Sequence, residues 1–152
     1  MGIDVKGKTM KKIYLASSWK NAGMLHLLAD ALRRKGFKVD LFCDKSTGRF
    51  VFNWQETPDF NYKSNEREAL KHKYFQKAFK EDKKMIEWCD ICIMVLPCGK
   101  SSHLEAGYAK GIGKKLYIFG EFVRGQFDVM YGFADGLFSP GELSEMIDTL
   151  NR

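Results

Sequence analysis

The chain has 152 residues, 45% of them hydrophobic and 29% charged, which is enough for one substantial core and too little for two ordinary domains. Its formal net charge of +6 is spread over several segments, and the basic stretch at residues 71–84 also carries acids, which favours a solvated helix face over a groove for polymeric nucleic acid. No apolar run reaches the roughly 20 residues of a membrane span, so we expect one cytoplasmic domain over residues 1–152, with a flexible tail at residues 1–10 and no membrane partner.

The N-terminal third predicts a β-α-β unit. Residues 12–16 are short and apolar and are followed by two serines, which is typical of a buried strand that ends in a turn. Apolar residues then recur at helical spacing over residues 21–35, Gly36 ends that helix, and residues 38–43 form a second strand. Such units pack their strands in parallel with a right-handed crossover.

Residues 44–65 show no regular period, and the rest of the chain resumes the alternation of helices and strands. Residues 66–88 predict one long or broken helix, and residues 91–96 form the most apolar and hence central strand. A helix at 102–110, strands at 115–119 and 136–138, and a last helix at 140–150 follow. The predicted fold class is therefore α/β, with a single-domain, doubly wound, mostly parallel five-stranded sheet in flavodoxin-like or Rossmann-like order.

The four cysteines lie at predicted strands or strand ends, which suits free thiols in a reducing compartment. They are Cys43, Cys89, Cys92 and Cys98. Cys89 and Cys92 are spaced like a redox motif, but such a motif follows a strand and opens a helix, whereas this run closes a helix and enters a strand. We interpret both as buried core thiols.

Two polar segments are the candidate site, because ligands of flavodoxin-like sheets bind beyond the carboxyl ends of the first and third strands. The first holds Ser17, Ser18, Trp19 and Lys20, and the second holds Gly99, Lys100, Ser101 and Ser102. Their lysines and serines could hold a phosphate at helix N-termini, or they are ordinary turn residues. Ser102 and Glu105 also have the spacing of a capping box, in which Glu105 would only cap a helix.

Several pieces of the sequence, in this order and spacing, resemble the nucleoside 2-deoxyribosyltransferase superfamily, which includes the 2'-deoxynucleoside 5'-phosphate N-hydrolases. The pieces are residues 12–16 (KIYLA), an acid at Asp82 eight residues before Asp90, residues 103–109 (HLEAGYA), and residues 130–132 (MYG) with residues 134–135 (AD). The resemblance covers most of the chain.

The resemblance implies an enzyme that cleaves or transfers an N-glycosidic bond. Glu105 would attack the anomeric carbon, and water or another base would discharge the glycosyl-enzyme. Tyr14 would orient Glu105, and Asp82 would face the base and help its ring nitrogen take a proton. Asp128 and Met130 would reach the 5' end of the sugar in a neighbouring subunit, which implies a homodimer or higher homo-oligomer with shared active sites. A retaining transfer of this kind needs a carboxylate and a proton donor, and no metal or cofactor.

The substrate class is a small-molecule nucleoside or nucleotide, and the choice between transfer and hydrolysis stays open. The compact turn at residues 98–102 resembles the phosphate-binding turn of the nucleotide hydrolases only loosely. Asp128 would repel a 5'-phosphate, so we expect a preference for nucleosides over 5'-monophosphates. His103 is two residues from Glu105 and points to another helix face, so we expect a surface or loop-packing role for it.

Aromatic side chains near the site could stack on a nucleobase, or they could cover the core edge or a subunit interface. They are Trp19, Phe50, Trp54, Phe60 and Tyr62. Two other classes of protein also remain open. One is a TIR-like module that cleaves NAD, and the other is a non-enzymatic nucleotide-binding protein in which Glu105 is only a helix cap.

Overall fold

The computed structural model of the protein describes Ile3, residues 10–53 and residues 66–152. Within these residues one all-parallel sheet contains β1 (Lys12–Ala16), β2 (Lys38–Leu41), β3 (Ile91–Val95), β4 (Lys115–Phe119) and β5 (Gly136–Phe138). The strand order is β2-β1-β3-β4-β5, so the predicted α/β fold in flavodoxin-like order is confirmed. The predicted tail at residues 1–10 lies outside the described residues, apart from Ile3 and Met10.

The described part of the chain contains five α-helices, and four of them pack against the sheet, the short second helix being the exception. The five are α1 (Ala22–Arg34), α2 (Glu66–Ala69), α3 (Lys73–Trp88), α4 (Lys100–Gly111) and α5 (Leu143–Leu150). The helix predicted over residues 66–88 is broken. Helix α2 ends at Ala69, and His72 caps α3 because its Nδ1 accepts a hydrogen bond from Tyr74 N. None of the described helices is long and apolar enough to cross a membrane.

Helix α4 begins two residues earlier than predicted, and the capping-box interpretation of Glu105 is therefore wrong. The N-cap residue is Gly99. Glycine is a favourable N-cap residue, but it has no side chain with which to cap the helix. Ser102 consequently lies inside the first turn, where it is 2% exposed. Glu105 does not reach back to the helix start, and its side chain instead accepts a hydrogen bond from Tyr14.

The sheet carries a hydrophobic cluster on each face, and strand alternation decides which residues join which cluster. Ile13 and Leu15 of β1 pack into the cluster that includes residues of α1 and α5. Tyr14, between them, points to the opposite face, where residues of α3 and α4 pack. All five residues of β3 are buried, as expected for a central strand. This alternation aims the Tyr14 side chain towards α4.

Cys89 and Cys92 are free and buried in the cluster that contains Tyr14. Burial raises the pKa of Cys89 to about 11 and that of Cys92 well above its ordinary value. Thiols that resist ionisation are poor nucleophiles and poor redox groups. The interpretation of both residues as core thiols is confirmed.

Candidate active site

A cleft of about 380 Å³ opens beyond the carboxyl ends of β1 and β3, where the strand order reverses. Its walls come from the loop after β1, the segment after β2, helix α3 and the start of α4. The lining residues nominated from the sequence are Ser17, Ser18, Trp19, Phe50, Asp82, Gly99, Lys100, Ser101, Ser102 and Glu105. Phe52, which was not nominated, also lines the cleft. Lys20 belongs to the 3₁₀ helix Trp19–Asn21 but does not line the cleft. The structure thus brings both predicted segments and both predicted acids together.

Tyr14 and Glu105 form a hydrogen-bonded pair at the floor of this cleft. Tyr14 is fully buried, and its hydroxyl donates to Oε2 of Glu105. Burial raises the pKa of Glu105 to about 7, while the hydrogen bond from Tyr14 opposes that rise. Burial, followed by the nearby charge of Glu105, raises the pKa of Tyr14 well above its ordinary value, so Tyr14 remains a donor at neutral pH. Glu105 is therefore an oriented carboxylate that ionises close to neutral pH.

Asp82 is held by an arginine that the sequence analysis did not nominate. Arg49 is 9% exposed, and its Nη2 donates to Oδ1 of Asp82 at 2.8 Å. Its Nε and Nη2 also donate to the two carboxylate oxygens of Asp40, at 3.1 and 3.3 Å. Its Nη1 donates to the carbonyl oxygen of Phe50 at 2.9 Å. We call Asp40, Arg49 and Asp82 the arginine cluster, which joins β2 to α3 beside the cleft.

The electrostatics of the arginine cluster are set by burial and by one guanidinium. Burial raises the pKa of both Asp40 and Asp82, and the hydrogen bonds from Arg49 oppose both rises. Burial works against the charge of Arg49, but its hydrogen bonds to the two aspartates raise its pKa above the ordinary value. Two carboxylates therefore share one permanent positive charge. The sequence does contain a sign of this cluster, since the acid Asp40 stands between the apolar residues Val39 and Leu41 of β2.

The loops after β1 and β3 are tied together at the cleft. Ser17 Oγ donates to the carbonyl oxygen of Val95 at 2.8 Å and accepts from Asn21 Nδ2 at 3.1 Å. The same amide nitrogen of Asn21 donates to the carbonyl oxygen of Pro97 at 2.6 Å. Ser18 Oγ caps the following 3₁₀ helix. Ser17 and Ser18 thus have structural partners in addition to their place on the cleft wall.

One end of the cleft is the N-terminus of α4. Gly99 supplies no side-chain cap, and the first N–H groups of a helix have no intrahelical acceptor, so within residues 10–53 and 66–152 these groups of α4 have no side-chain cap. Lys100 and Ser101 are exposed there. A free helix N-terminus beside a lysine attracts an anionic group.

The other end of the cleft is aromatic. The Trp19 and Phe42 rings meet edge to face with centroids 5.5 Å apart, and those of Phe52 and Phe75 are 5.6 Å apart. Trp19 remains 47% exposed, so much of its indole faces solvent or a ligand. Three other aromatic residues proposed to contact a base, Trp54, Phe60 and Tyr62, lie outside the described residues.

Asp128 and Met130 do not line the Glu105 cleft of their own chain. They line a separate cavity of about 560 Å³ near the ends of β3 and β4. Asp128 Oδ1 accepts a hydrogen bond from Met130 N at 2.8 Å and caps the 3₁₀ helix Val129–Phe133. Their action in a neighbouring subunit stays a prediction.

His103 also points away from Glu105 and joins two loops. Its Nδ1 lies 2.7 Å from the carbonyl oxygen of Gly99, and its Nε2 lies 3.0 Å from Tyr131 Oη. The His103 and Tyr131 rings stack with centroids 5.8 Å apart. These contacts agree with the loop-packing role expected from the sequence.

Comparisons with known proteins establish the fold. No protein-family model matches the chain, and no curated protein sequence matches it. Its structure is similar to that of a CMP N-glycosidase from Clostridium botulinum, with 17% identity, a TM-score of 0.55, and coverage of 93% of this chain and 100% of that one. It is also similar to a 2-deoxyribosyltransferase from Bacillus psychrosaccharolyticus, with 20% identity, a TM-score of 0.59 and 90% of each chain covered. At these identities the likeness shows the fold, and it is the fold that the sequence resemblance implies.

Proposed function

We propose that the protein cleaves or transfers the N-glycosidic bond of nucleosides or nucleotides, with Glu105 as the nucleophile. The observation that carries this proposal is the hydrogen bond from the buried Tyr14 to Glu105, which fixes a carboxylate in a cleft at the reversal of strand order. The names of the two similar structures, a CMP N-glycosidase and a 2-deoxyribosyltransferase, support the same class of reaction.

The proposed reaction has two steps. In the first, Oε1 of Glu105 forms a bond to the anomeric carbon while the bond from that carbon to the base nitrogen breaks. The electron pair leaves on the base, whose ring takes up a proton from solvent by way of Asp82. In the second, water or another base attacks the anomeric carbon, loses a proton and releases Glu105 as a carboxylate. An anion beside the oxocarbenium-like transition state lowers its energy even before the covalent bond forms.

The two ends of the cleft suit the two ends of a nucleoside. Flat side chains such as Trp19 and Phe52 offer stacking surfaces, and Asp82 lies on the same lining, so the base is assigned to this end. The start of α4 offers N–H groups and Lys100, so the 5' end of the sugar is assigned there. Glu105 would then meet the anomeric carbon between them.

A 5'-monophosphate N-hydrolase is the second candidate, and one observation favours it. Lys100, Ser101 and the uncapped N-terminus of α4 line the cleft, whereas Asp128 is not on the lining within the same chain. A phosphate would therefore meet favourable groups from this chain, and repulsion would arise only if Asp128 entered from a second subunit.

The test is a panel of nucleosides, their 5'-monophosphates and NAD, each incubated with and without a second base, with released or exchanged base measured by chromatography. Base release without an acceptor indicates hydrolysis, and exchange that requires an acceptor indicates transfer. Consumption of NAD alone would favour the TIR-like alternative. Binding of a nucleoside without cleavage of any compound would contradict the proposal and favour a binding protein.

Glu105→Gln is the matched active-site variant for this panel, because it keeps the shape of the side chain and removes the nucleophile. Glu81→Gln is the control, since Glu81 is a glutamate beside Asp82 on α3 that lines a different cavity. The proposal requires the first variant to be inactive and the second to be active.

A further inference from the structure

The carboxylate of Asp82 presents one oxygen to the arginine cluster and leaves the other for the cleft. Oδ1 is bound by Arg49 at 2.8 Å, and the Asp82 side chain is 37% exposed and lines the cleft. Among residues 10–53 and 66–152, no group donates a hydrogen bond to Oδ2. An acceptor oxygen is therefore available to a ligand.

Arg49 fixes the position of this acceptor. The guanidinium cannot lose its proton in a protein, and it is anchored by Asp40 on one side and by the carbonyl oxygen of Phe50 on another. Because two aspartates share its single positive charge, electron density remains on the carboxylate oxygen that Arg49 does not bind. A ligand at this end of the cleft thus meets a hydrogen-bond acceptor with a fixed orientation.

Bases differ in what they offer to such an acceptor. Cytosine and adenine carry an exocyclic amino group beside a ring nitrogen, so the amino group donates to a carboxylate oxygen and the ring nitrogen can share a proton with it. Uracil and hypoxanthine carry an oxo group at the same place and an N–H on the ring nitrogen beside it. Because Arg49 holds Oδ1, only Oδ2 is offered to the base, and where Oδ2 faces the exocyclic position it meets the lone pairs of the oxo group; the ring N–H reaches Oδ2 only if the base shifts. A polar site built for one partner rejects the analogue that leaves its groups unpaired.

We propose that Arg49 positions Asp82 to select nucleosides whose base carries an amino group beside a ring nitrogen over their oxo counterparts. This inference rests on the proposed function and adds the class of base. Asp82 touches the base, whereas Arg49 acts through Asp82 and is a positioning residue.

The test compares kcat/KM for two matched pairs, 2'-deoxycytidine with 2'-deoxyuridine and 2'-deoxyadenosine with 2'-deoxyinosine, as nucleosides and as 5'-monophosphates. We expect the amino member to be favoured at least about tenfold in both pairs. In Asp82→Asn, the amide oxygen can keep the contact to Arg49 while the NH₂ group faces the cleft. We therefore expect both ratios to fall to about one or to reverse, while Glu81→Gln keeps the wild-type ratios. Wild-type ratios near one, or ratios unchanged in Asp82→Asn, would overturn the assignment of Asp82.

The role of Arg49 is tested with Arg49→Gln and with the double variant Asp40→Asn/Arg49→Gln. The double variant also removes the negative charge of Asp40, which would be buried without a partner once Arg49 is replaced. Both amino-to-oxo ratios should fall at least about threefold, mainly through a higher KM for the amino members, and Arg49→Lys should restore part of the ratio. Thermal unfolding identifies the variants that fold. A folded variant of either kind with wild-type ratios would exclude a positioning role.

Failure of this inference differs from failure of the proposed function. If Glu105→Gln abolishes cleavage while the wild-type ratios are near one, the function stands and the base selectivity is wrong. If wild type cleaves none of the compounds, the proposed function is wrong, and calorimetric binding of cytidine against uridine and of adenosine against inosine decides the selectivity. Equal affinities within both pairs would then overturn it.

Discussion

Tyr14 on β1 donates a hydrogen bond to Oε2 of Glu105 on α4, across 91 positions of the sequence. Burial raises the pKa of Glu105 to about 7, and this hydrogen bond keeps it from rising further because it stabilises the ionised form. The contact therefore controls both the direction in which Glu105 points and the pH at which it becomes a nucleophile.

The first prediction concerns the pH dependence of the wild-type reaction. Because the attacking form of Glu105 is the ionised one, kcat/KM should rise about tenfold per pH unit below about 7 and level off above it. Tyr14→Phe removes a bond that lowers the Glu105 pKa, so its rising limb should move to higher pH. Initial rates from pH 5 to 9 measure the rising limb of the wild-type profile and that of the Tyr14→Phe profile. A Tyr14→Phe profile at the wild-type position or at lower pH would contradict the proposed role.

The second prediction concerns Glu105→Ala and Glu105→Gln. Either substitution should abolish turnover, because Asp82, the other carboxylate on the lining among the described residues, is assigned to the base and not to the anomeric carbon. Since Glu105 does not cap α4, neither variant should lose cap stability. Base release measured by chromatography checks this, and more than a tenth of the wild-type activity in either variant would exclude the covalent mechanism.

Glu105→Gln should also change how stability depends on pH. The pKa of Glu105 is 4.5 in the ordinary state and about 7 in the folded protein, so the native state holds the proton more tightly than the unfolded chain. This tighter proton binding stabilises the folded protein; the stabilisation is fully present below about pH 4.5 and is lost as the pH rises through about 7. The free energy of unfolding of Glu105→Gln, relative to that of wild type, should therefore increase by on the order of 2 kcal/mol between pH 5 and pH 8. Urea unfolding at the two pH values measures this, and a constant difference would show that Glu105 ionises normally.

The third prediction is a homodimer or higher homo-oligomer that uses the segment around the 3₁₀ helix Val129–Phe133. Val129, Met130 and Phe133 are 83%, 59% and 56% exposed, which is costly for apolar side chains left in water. Val129→Asp should dissociate the assembly and remove activity. Leu27→Asp, at a residue that is 70% exposed on α1, is the control. Sedimentation velocity at micromolar concentration gives the masses, and a fully active wild-type monomer would refute the shared site.

The fourth prediction concerns the 5' end of the substrate. If Asp128 enters a neighbouring site, its charge should favour nucleosides over their 5'-monophosphates, because like charges in a partly desolvated site repel strongly. Asp128→Ser keeps a side chain that can cap Val129–Phe133 and removes the charge, so the preference should shrink or reverse. Competition assays with a nucleoside and its monophosphate measure it. A tenfold wild-type preference for the monophosphate would instead favour the hydrolase, with Lys100, Ser101 and Ser102, which line the cleft, as candidate phosphate ligands.

The strands were predictable because buried parallel strands are continuous apolar runs, and β3 shows this most clearly. The start of α4 was not, because Ser102 and Glu105 have the spacing of a capping box although Gly99 is the N-cap. Sequence spacing reports what two residues could do within one helix. It does not report a competing partner such as Tyr14, which comes from another strand.

The arginine cluster could not be assembled from the sequence for a related reason. Arg49 lies 9 positions from Asp40 and 33 from Asp82, and neither separation has a local meaning in a helix or a strand. Only the packing of α3 beside β2 brings the three charges together. Asp40 was still a usable signal, because a buried strand position tolerates a carboxylate only when a partner neutralises it.

The side-chain amide of Asn21, which binds Ser17 and the carbonyl oxygen of Pro97, has a consequence for the range of ring sizes that can fit. The Asn21 bond to Pro97, together with the bond from Ser17 Oγ to the carbonyl oxygen of Val95, fixes the spacing of the two loops that follow β1 and β3, so the cleft cannot widen along that direction without breaking these two bonds. A purine in place of a pyrimidine must then be accommodated on the opposite side, by residues 49–52 and α3. Tolerance of the larger ring and choice of the amino group would therefore depend on the same wall, and a change that alters one should alter the other.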